Sequence, residues 1–253
     1  MVSNMAPTRL ALALLIGSVY CRSIVTAAPQ ELIVHHTTSP ITLDAKIDGP
    51  AWTNATQVQF DIPGEYQKLG QTMEEPGTAR LLWDDRRLYI GFQFVDSDLV
   101  ALGHEDDEEH HTLGDVAEVF LKPTDQPWYW EFHVTPGGHA STYWHPGRGR
   151  FGLREDHHVR PRFFDFIVSL QGTLNDWRDR DKGWTAEVAI PFDKLDRYNE
   201  RSKPKENWTI LLARYNYTRY RTQATGPELS TWPPVSHAAF HVVEEYAPLK
   251  LLP

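Results

Sequence analysis

An acid and an imidazole alternate with aromatic rings in the segment WYWEFHV. If this segment is a strand, Tyr129, Glu131 and His133 lie on one of its faces, because successive side chains of a strand point to opposite faces. Glu118, in the preceding segment VAEVFLK, can join them from a neighbouring strand. Such carboxylates can accept hydrogen bonds from the hydroxyl groups of a ligand, and a pair of them about 5–5.5 Å apart can hydrolyse a glycosidic bond.

Arg214 and Asn216 alternate in the same way in the later segment ARYNY, and they are candidates to complete this polar face. A guanidinium beside a carboxylate can clamp sugar hydroxyls through charge-assisted hydrogen bonds. Glu131 and Arg214 are the strongest candidates, because aromatic residues flank each of them. The alternative is an ordinary solvated sheet face with salt bridges, and Glu187 fits both interpretations equally well.

Acids are concentrated in the segment DSDLVALGHEDDEEHHTLGD. Asp96, Asp98 and Asp115 fall at predicted strand ends, where the backbone is fixed, and they are the candidate ligands of a structural calcium ion, which takes roughly six to eight oxygens. The charge run at 105–109 is interpreted as a solvated loop. Adjacent histidines on a strand point apart, so the pair at 110–111 leaves a transition-metal site only as the weaker alternative.

Aromatic residues also fall in or beside predicted turns, where an exposed ring can stack on the apolar face of a pyranose. Trp232, between a threonine and two prolines, is the first choice for such a ring, and Phe240 and His241 lie in the same C-terminal loop. Trp144 and Trp177 are further candidates. The alternative for each ring is to cap the core, which is the more common role of a tryptophan.

The elements that position these residues are strands. Bulky apolar residues alternate with polar ones at 79–83 and 88–95 around a short polar turn, which predicts an antiparallel hairpin. Similar patterns recur along the chain, one tryptophan is expected in a short helical turn at 51–52, and the segment at 60–76 is predicted to be a loop. About ten or eleven strands with few helices predict an all-β fold, an antiparallel β-sandwich of jelly-roll or immunoglobulin-like type.

The first 28 residues have the pattern of a signal peptide, with Arg9 before an apolar run and small residues before Pro29. The prediction is therefore a leader at 1–28 and one domain at 29–253, secreted or periplasmic, with no membrane span. Loss of the leader removes Cys21, so the mature chain would have no thiol for disulfides or thiolate chemistry. It also changes the formal net charge from −9 to −11, an acidic balance that disfavours nucleic acid as a partner.

In order along the chain, a series of segments resembles family-9 carbohydrate-binding modules and their relatives in the DOMON-like superfamily. The series spans nearly all of the predicted mature chain and is more specific for the fold than for a ligand. Its members are ITLDAKIDGPAW, TARLLWDDRRLYIGFQFVDSDL, GDVAEVFLKP, WYWEFHVTPGG, GWTAEVAIPFDKL, NWTILLARYNYTR, STWPPVSHAAFH and YAPLKL.

The resemblance implies a jelly-roll-like sandwich that binds sugar chain ends between two aromatic rings and holds calcium structurally. In this sequence Thr112 stands near the place of one stacking tryptophan, and Phe240, with Trp232 nearby, stands near the place of the other. Some DOMON-like domains bind haem through Met and His. Met73 is the one methionine outside the leader, and it falls in a predicted loop, so no haem is expected.

These observations predict a secreted, monomeric, non-catalytic protein that binds polysaccharide or oligosaccharide as an accessory in polysaccharide recognition or breakdown. A sugar-active enzyme, such as a glycoside hydrolase that uses Glu118 and Glu131, is one alternative. A sandwich with a structural or protein-interaction role is the other. The sequence contains no GxSxG elbow, HExxH helix or phosphate-binding loop that would point to a different chemistry.

Overall fold

The computed structural model of the protein describes residues 30–148, 157–195, 207–223 and 225–253. The predicted signal peptide lies outside these residues. The strands are β1 (Leu32–His36), β2 (Thr56–Gln59), β3 (Gly77–Trp83), β4 (Arg87–Val95), β5 (Val116–Pro123), β6 (Tyr129–Val134), β7 (Ala140–His145), β8 (Asp165–Gln171), β9 (Gly183–Pro191), β10 (Trp208–Asn216), β11 (Glu228–Trp232) and β12 (Ala247–Leu252). Helix α1 covers Gly64–Lys68, and single 3₁₀ turns cover Pro50–Trp52, His110–Thr112, Phe192–Lys194 and Val243–Glu245.

The twelve strands of the described residues form one curled sheet in the order β7-β6-β5-β10-β12-β1-β3-β4-β9-β8, with β11 added to β10 and β2 added to β3. Most neighbours are antiparallel, but β1 runs parallel to both β12 and β3. The prediction of a purely antiparallel sheet is therefore wrong at β1, and the count exceeds the predicted ten or eleven. The choice between jelly-roll and immunoglobulin-like type stays a prediction.

One apolar core lies inside the curl. It combines side chains from both ends of the strand order, such as Phe132 of β6 and Phe92 of β4, in a single cluster. Burying side chains of this size is worth roughly 1.5–3 kcal/mol each, which makes the core the main source of stability. The edge strand β8 alternates between exposed and half-buried residues, as expected for a strand with one face in contact with solvent.

The strands β5 and β6 differ from β8, because nearly all of their residues are buried on both faces. Their outer face is covered by the C-terminal segment 233–246, whose Val235, Phe240 and Tyr246 pack on Phe120 and Tyr129. A polar cluster on this outer face is therefore shielded from bulk water.

The outer face of the other half of the sheet is covered by the segment before β2. Trp52, Ile47 and Tyr89 form a small apolar cluster there. Gly91 of β4 permits this packing, since a Cβ at that position would lie 2.4 Å from Cγ2 of Ile47.

The hairpin β3–β4 and the helical turn that buries Trp52 confirm the sequence predictions. The predicted loop at 60–76 is wrong in part, because helix α1 lies within it. The strands β1, β2 and β11 were not predicted; each is short, with four or five residues. None of the helices in the described parts of the chain has the length and apolar character that crossing a membrane requires.

Candidate functional site

The register of β5, β6 and β7 places a polar cluster on the covered outer face. Glu118 is opposite His133, and Glu131 is opposite Tyr143. His145, at the end of β7, is opposite Tyr129 and its ring stacks on the tyrosine at 4.7 Å. Residues that pair across an antiparallel sheet share a face, so the period-two pattern of WYWEFHV continues into its neighbours.

Glu131 is the centre of this cluster and is 6% exposed. Its Oε1 lies 2.6 Å from Nε2 of His133, and its Oε2 lies 2.7 Å from Nε2 of His145. Nε2 of His133 also lies 3.2 Å from Oε1 of Glu118. One carboxylate is thus held by two imidazoles, and one of those imidazoles joins it to a second carboxylate.

His241 reaches the cluster from the C-terminal segment. Its Nδ1 lies 2.9 Å from the hydroxyl of Tyr129, and its ring lies 5.4 Å from that of His145. The neighbouring Phe240 is buried and packs edge-on against Phe120 and Tyr215. Phe240 therefore anchors the segment that carries His241, and it does not present a ring face to a ligand.

A cavity of about 610 Å³ opens above the cluster. Its wall is polar and rich in imidazoles, and it extends from the sheet to the 3₁₀ turn after the acidic loop and to the chain beyond β7. The lining residues are Glu109, His111, Glu131, His133, Tyr143, His145, His157, His158, Arg160 and His241.

Burial and hydrogen bonding shift the pKa values of the acids and imidazoles of this cluster in different directions. Burial raises the pKa of Glu118 to about 8. Burial also acts to raise the pKa of Glu131, but the hydrogen bonds from His133 and His145 outweigh it, and the pKa lies well below its usual range. For His133 the two carboxylates outweigh burial and raise the pKa. These shifts favour the ionised form of Glu131, the protonated form of His133 and the neutral form of Glu118.

The structure brings together five of the predicted ligand-binding residues: Glu118, Tyr129, Glu131, His133 and His241. It separates Arg214 and Asn216 from them, so the prediction of one shared Glu131/Arg214 face is wrong. Arg214 is opposite Ala117, whose neighbour Glu118 points to the other side of β5. A shift of one position along a strand moves a side chain to the opposite face.

Arg214 instead closes a buried network at the end of the core. Its guanidinium donates to Oδ2 of Asp96 at 3.0 Å and to Oδ1 of Asn216 at 2.9 Å, as well as to the carbonyls of Glu75 and Val95. Its exposure is 0%. These contacts are structural, because a buried charge is stable only when it is paired and hydrogen-bonded.

Trp232 also lies away from the cavity. It pairs with Leu212 on the core face of β10 and lines a second cavity beside β1 and β2. Trp144 is half-buried against the main core. Trp177 is the most exposed of the three, at 69%, with the guanidinium of Arg219 5.7 Å from its ring.

The carboxylates predicted to bind calcium are buried, and protein donors already occupy them. Asp96 pairs with Arg214, Asp98 accepts from the amide of Arg219, and Asp115 accepts from the amides of Val100 and Tyr217. Among the described residues, the groups whose metal-binding atoms converge within 4.8 Å are those around Glu131. Calcium at Asp96, Asp98 and Asp115 would have to bind beside these bonds, and it stays a prediction.

Glu187 has a structural role on the opposite half of the sheet. Its Oε2 accepts from the amides of Asp44 and Ala45, both at 2.6 Å, and its Oε1 accepts from Nε1 of Trp52 at 3.0 Å. The carboxylate therefore holds the N-terminal covering segment on β9.

Sequence reasoning missed much of the cavity wall. Tyr143 and His145 follow the same alternation as Glu131, and extending the register across the turn at 136–138 would have found them. His157 and His158 belong to a segment rich in Gly, Arg and His, a composition that is typical of an exposed loop. An isolated bridge between Tyr143 and His158 brings this segment beside β7, and no local sequence pattern signals that contact.

No protein-family model matches this sequence, and neither does any curated protein. Three solved structures, each 14% identical, have a similar fold. One is a protein from Bacteroides uniformis, provisionally assigned to carbohydrate binding, with a TM-score of 0.61 over 89% of this chain and 100% of that one. The others are structures of a family-9 carbohydrate binding module from Caldicellulosiruptor kristjanssonii.

The module was solved in complex with cellotriose in one case and with glucose in the other. The TM-scores are 0.55 and 0.53, over 88% of this chain and over 93% and 96% of the respective module chains. The chain therefore has a fold like that of family-9 modules, as the sequence resemblance implied. The wider DOMON-like assignment stays a prediction.

Proposed function

We propose that the chain binds carbohydrate in the cavity over β5, β6 and β7. The observation that carries the proposal is the cavity itself: a concave site of about 610 Å³ with an ionised Glu131 at its floor. Its volume falls in the range of small-molecule sites, roughly 300–1,000 Å³. Modules with a similar fold were solved in complex with cellotriose and with glucose, which supports a sugar as the ligand.

Hydrogen bonding would dominate recognition in this cavity. A carboxylate has about four lone-pair sites, so each oxygen of Glu131 can accept a sugar hydroxyl beside its imidazole partner. Arg160 and the imidazoles of the wall add further polar groups. In the described part of the chain no tryptophan lines the cavity, and Phe240 is buried. We therefore propose ligand binding without the pair of stacking tryptophans.

The wider role is proposed on the same basis. We propose a monomeric, non-catalytic accessory in polysaccharide recognition or breakdown, and the apolar segment after Arg9 supports its secretion.

Isothermal titration of the full chain with a panel that includes glucose and cellotriose tests the proposal. Binding of at least one sugar is expected, with a loss of about tenfold or more in Glu131→Gln, since hydrogen bonds to a charged group are worth about 1.5–3 kcal/mol. His104→Ala is the control, because this exposed histidine lies outside the cavity wall. Folded protein that binds no sugar of the panel would refute the proposal.

A glycoside hydrolase is the second candidate, and one observation favours it. The pKa of Glu118 is raised and that of Glu131 is lowered, and two carboxyl groups pushed apart in this way are typical of an acid and a base or nucleophile. Reducing-sugar release that disappears in both Glu118→Gln and Glu131→Gln would replace the binding proposal with this one.

A further inference from the structure

Three side chains in the wall of the cavity present metal-binding atoms to one another. Glu131, His145 and His241 each offer one such atom, and these atoms all lie within 4.8 Å of one another. Two of the residues are held by neighbouring strands, and the third by the segment that Phe240 anchors. We propose that they bind a divalent first-row transition metal ion, with Zn²⁺ as the first candidate.

The chemistry of the donors selects this class of ion. Two imidazole nitrogens and one carboxylate oxygen suit zinc, which binds such ligands at about 2.0–2.2 Å. Calcium and magnesium prefer oxygen ligands alone, so they fit this set poorly. The site goes beyond the proposed function, since it can be loaded with metal when no sugar is present.

The surroundings orient each ligand as metal sites require. Oε1 of Glu131 is fixed by His133, which Glu118 holds in turn. The hydroxyl of Tyr129 lies 2.9 Å from Nδ1 of His241 and helps to hold that ring in place. Partners of this kind fix the ring orientation of metal-binding histidines.

Metal binding would exchange one interaction for others without a redox change. The contact of 2.7 Å between His145 and Glu131 is a hydrogen bond. A metal ion replaces it with a bond to Nε2 and a bond to the carboxylate, and the imidazole carries its hydrogen on Nδ1 instead. Three protein ligands leave a fourth position, which faces the cavity and takes water or a ligand oxygen.

Zinc titration of the chelator-treated full chain, with no sugar added, tests the site. We expect one Zn²⁺ per chain in wild type and in His104→Gln. We expect affinity to fall by about 100-fold or more in His145→Gln and in His241→Gln, because loss of a ligand should exceed the roughly 10–100-fold effect of a supporting residue. His241 is half-buried on a covering segment, so its variant remains usable if His145→Gln does not fold.

Cobalt substitution gives a readout that a structural role would not produce. Co²⁺ bound to these ligands should show visible ligand-field bands in wild type and His104→Gln, and the bands should vanish in both ligand variants. Zinc binding in the two ligand variants that is as tight as in wild type would overturn the site. Zinc binding without sugar binding would refute only the proposed function, and the reverse result would refute only the metal site.

Discussion

Nε2 of His145 lies 2.7 Å from Oε2 of Glu131, although the two residues are 14 positions apart and are not paired across the sheet. Glu131 pairs with Tyr143, and His145 lies diagonally beyond it. The diagonal contact leaves the ring of Tyr143 beside the carboxylate, where both line the same cavity. The buried charges around Arg214 lie on the opposite face of the sheet, because Arg214 pairs with Ala117 and not with Glu118.

Arg214→Met should destabilise the fold while the cavity keeps its ligand. The substitution leaves the buried Asp96 carboxylate without its cation, and breaking a buried pair in this way costs about 3–5 kcal/mol. Urea unfolding measures the loss, and titration of the folded variant measures sugar affinity. Arg178→Met, at an exposed pair, should leave both quantities unchanged. A well-folded Arg214→Met that no longer binds sugar would place Arg214 at the site after all.

The strands that alternate strongly could be predicted from the sequence, and so could the shared face of Glu131 and His133. The position of Arg214 could not, because alternation gives the two faces of a strand and does not say which one faces the core. His241 and His158 come beside Glu131 only through the path of the covering segments and the curl of the sheet. These long-range contacts have no local signature, so the site was predicted in part.

His110 should make the protein less stable in mild acid. Burial, with the nearby His133, lowers the pKa of His110 from 6.5 to about 4. Between these values the folded protein binds fewer protons at this group than the unfolded chain, so stability falls as the pH drops through that window. The loss is about 3 kcal/mol at most, from about 1.4 kcal/mol per pKa unit. Free energies of unfolding measured from pH 7 to pH 4 should fall less steeply in His110→Leu, while His104→Leu should follow wild type.

Trp177 should contribute nothing to binding in the cavity. Its ring is 69% exposed and lies outside the cavity wall, in contrast to Tyr143. Trp177→Ala should therefore keep the wild-type melting temperature and the wild-type affinity for a soluble oligosaccharide, whereas Tyr143→Ala should lower that affinity. Retention on insoluble polysaccharide gives a second readout. A loss of retention in Trp177→Ala, with oligosaccharide affinity intact, would reveal a separate stacking surface.

Calcium removal should lower the melting temperature if Asp96, Asp98 and Asp115 bind the ion. Burial, followed by the charge of Asp96, raises the pKa of Asp115, and burial raises the pKa of Asp96 to about 6 despite Arg214. A divalent cation would relieve this repulsion between buried carboxylates and stabilise the folded state by mass action. Melting curves in chelator, and again after calcium is restored, measure the effect.

Two variants distinguish this calcium from the zinc proposed at Glu131. Calcium should restore the melting temperature of chelated His145→Gln and fail to restore that of Asp115→Asn, because only the latter loses a predicted calcium ligand. Zinc should do the reverse. Asp165→Asn, an exposed acid paired with Arg87, is the control that should respond to both ions as wild type does. If chelation leaves the wild-type melting temperature unchanged, and calcium does not raise it, these aspartates act only as hydrogen-bond acceptors for Arg214 and the loop amides.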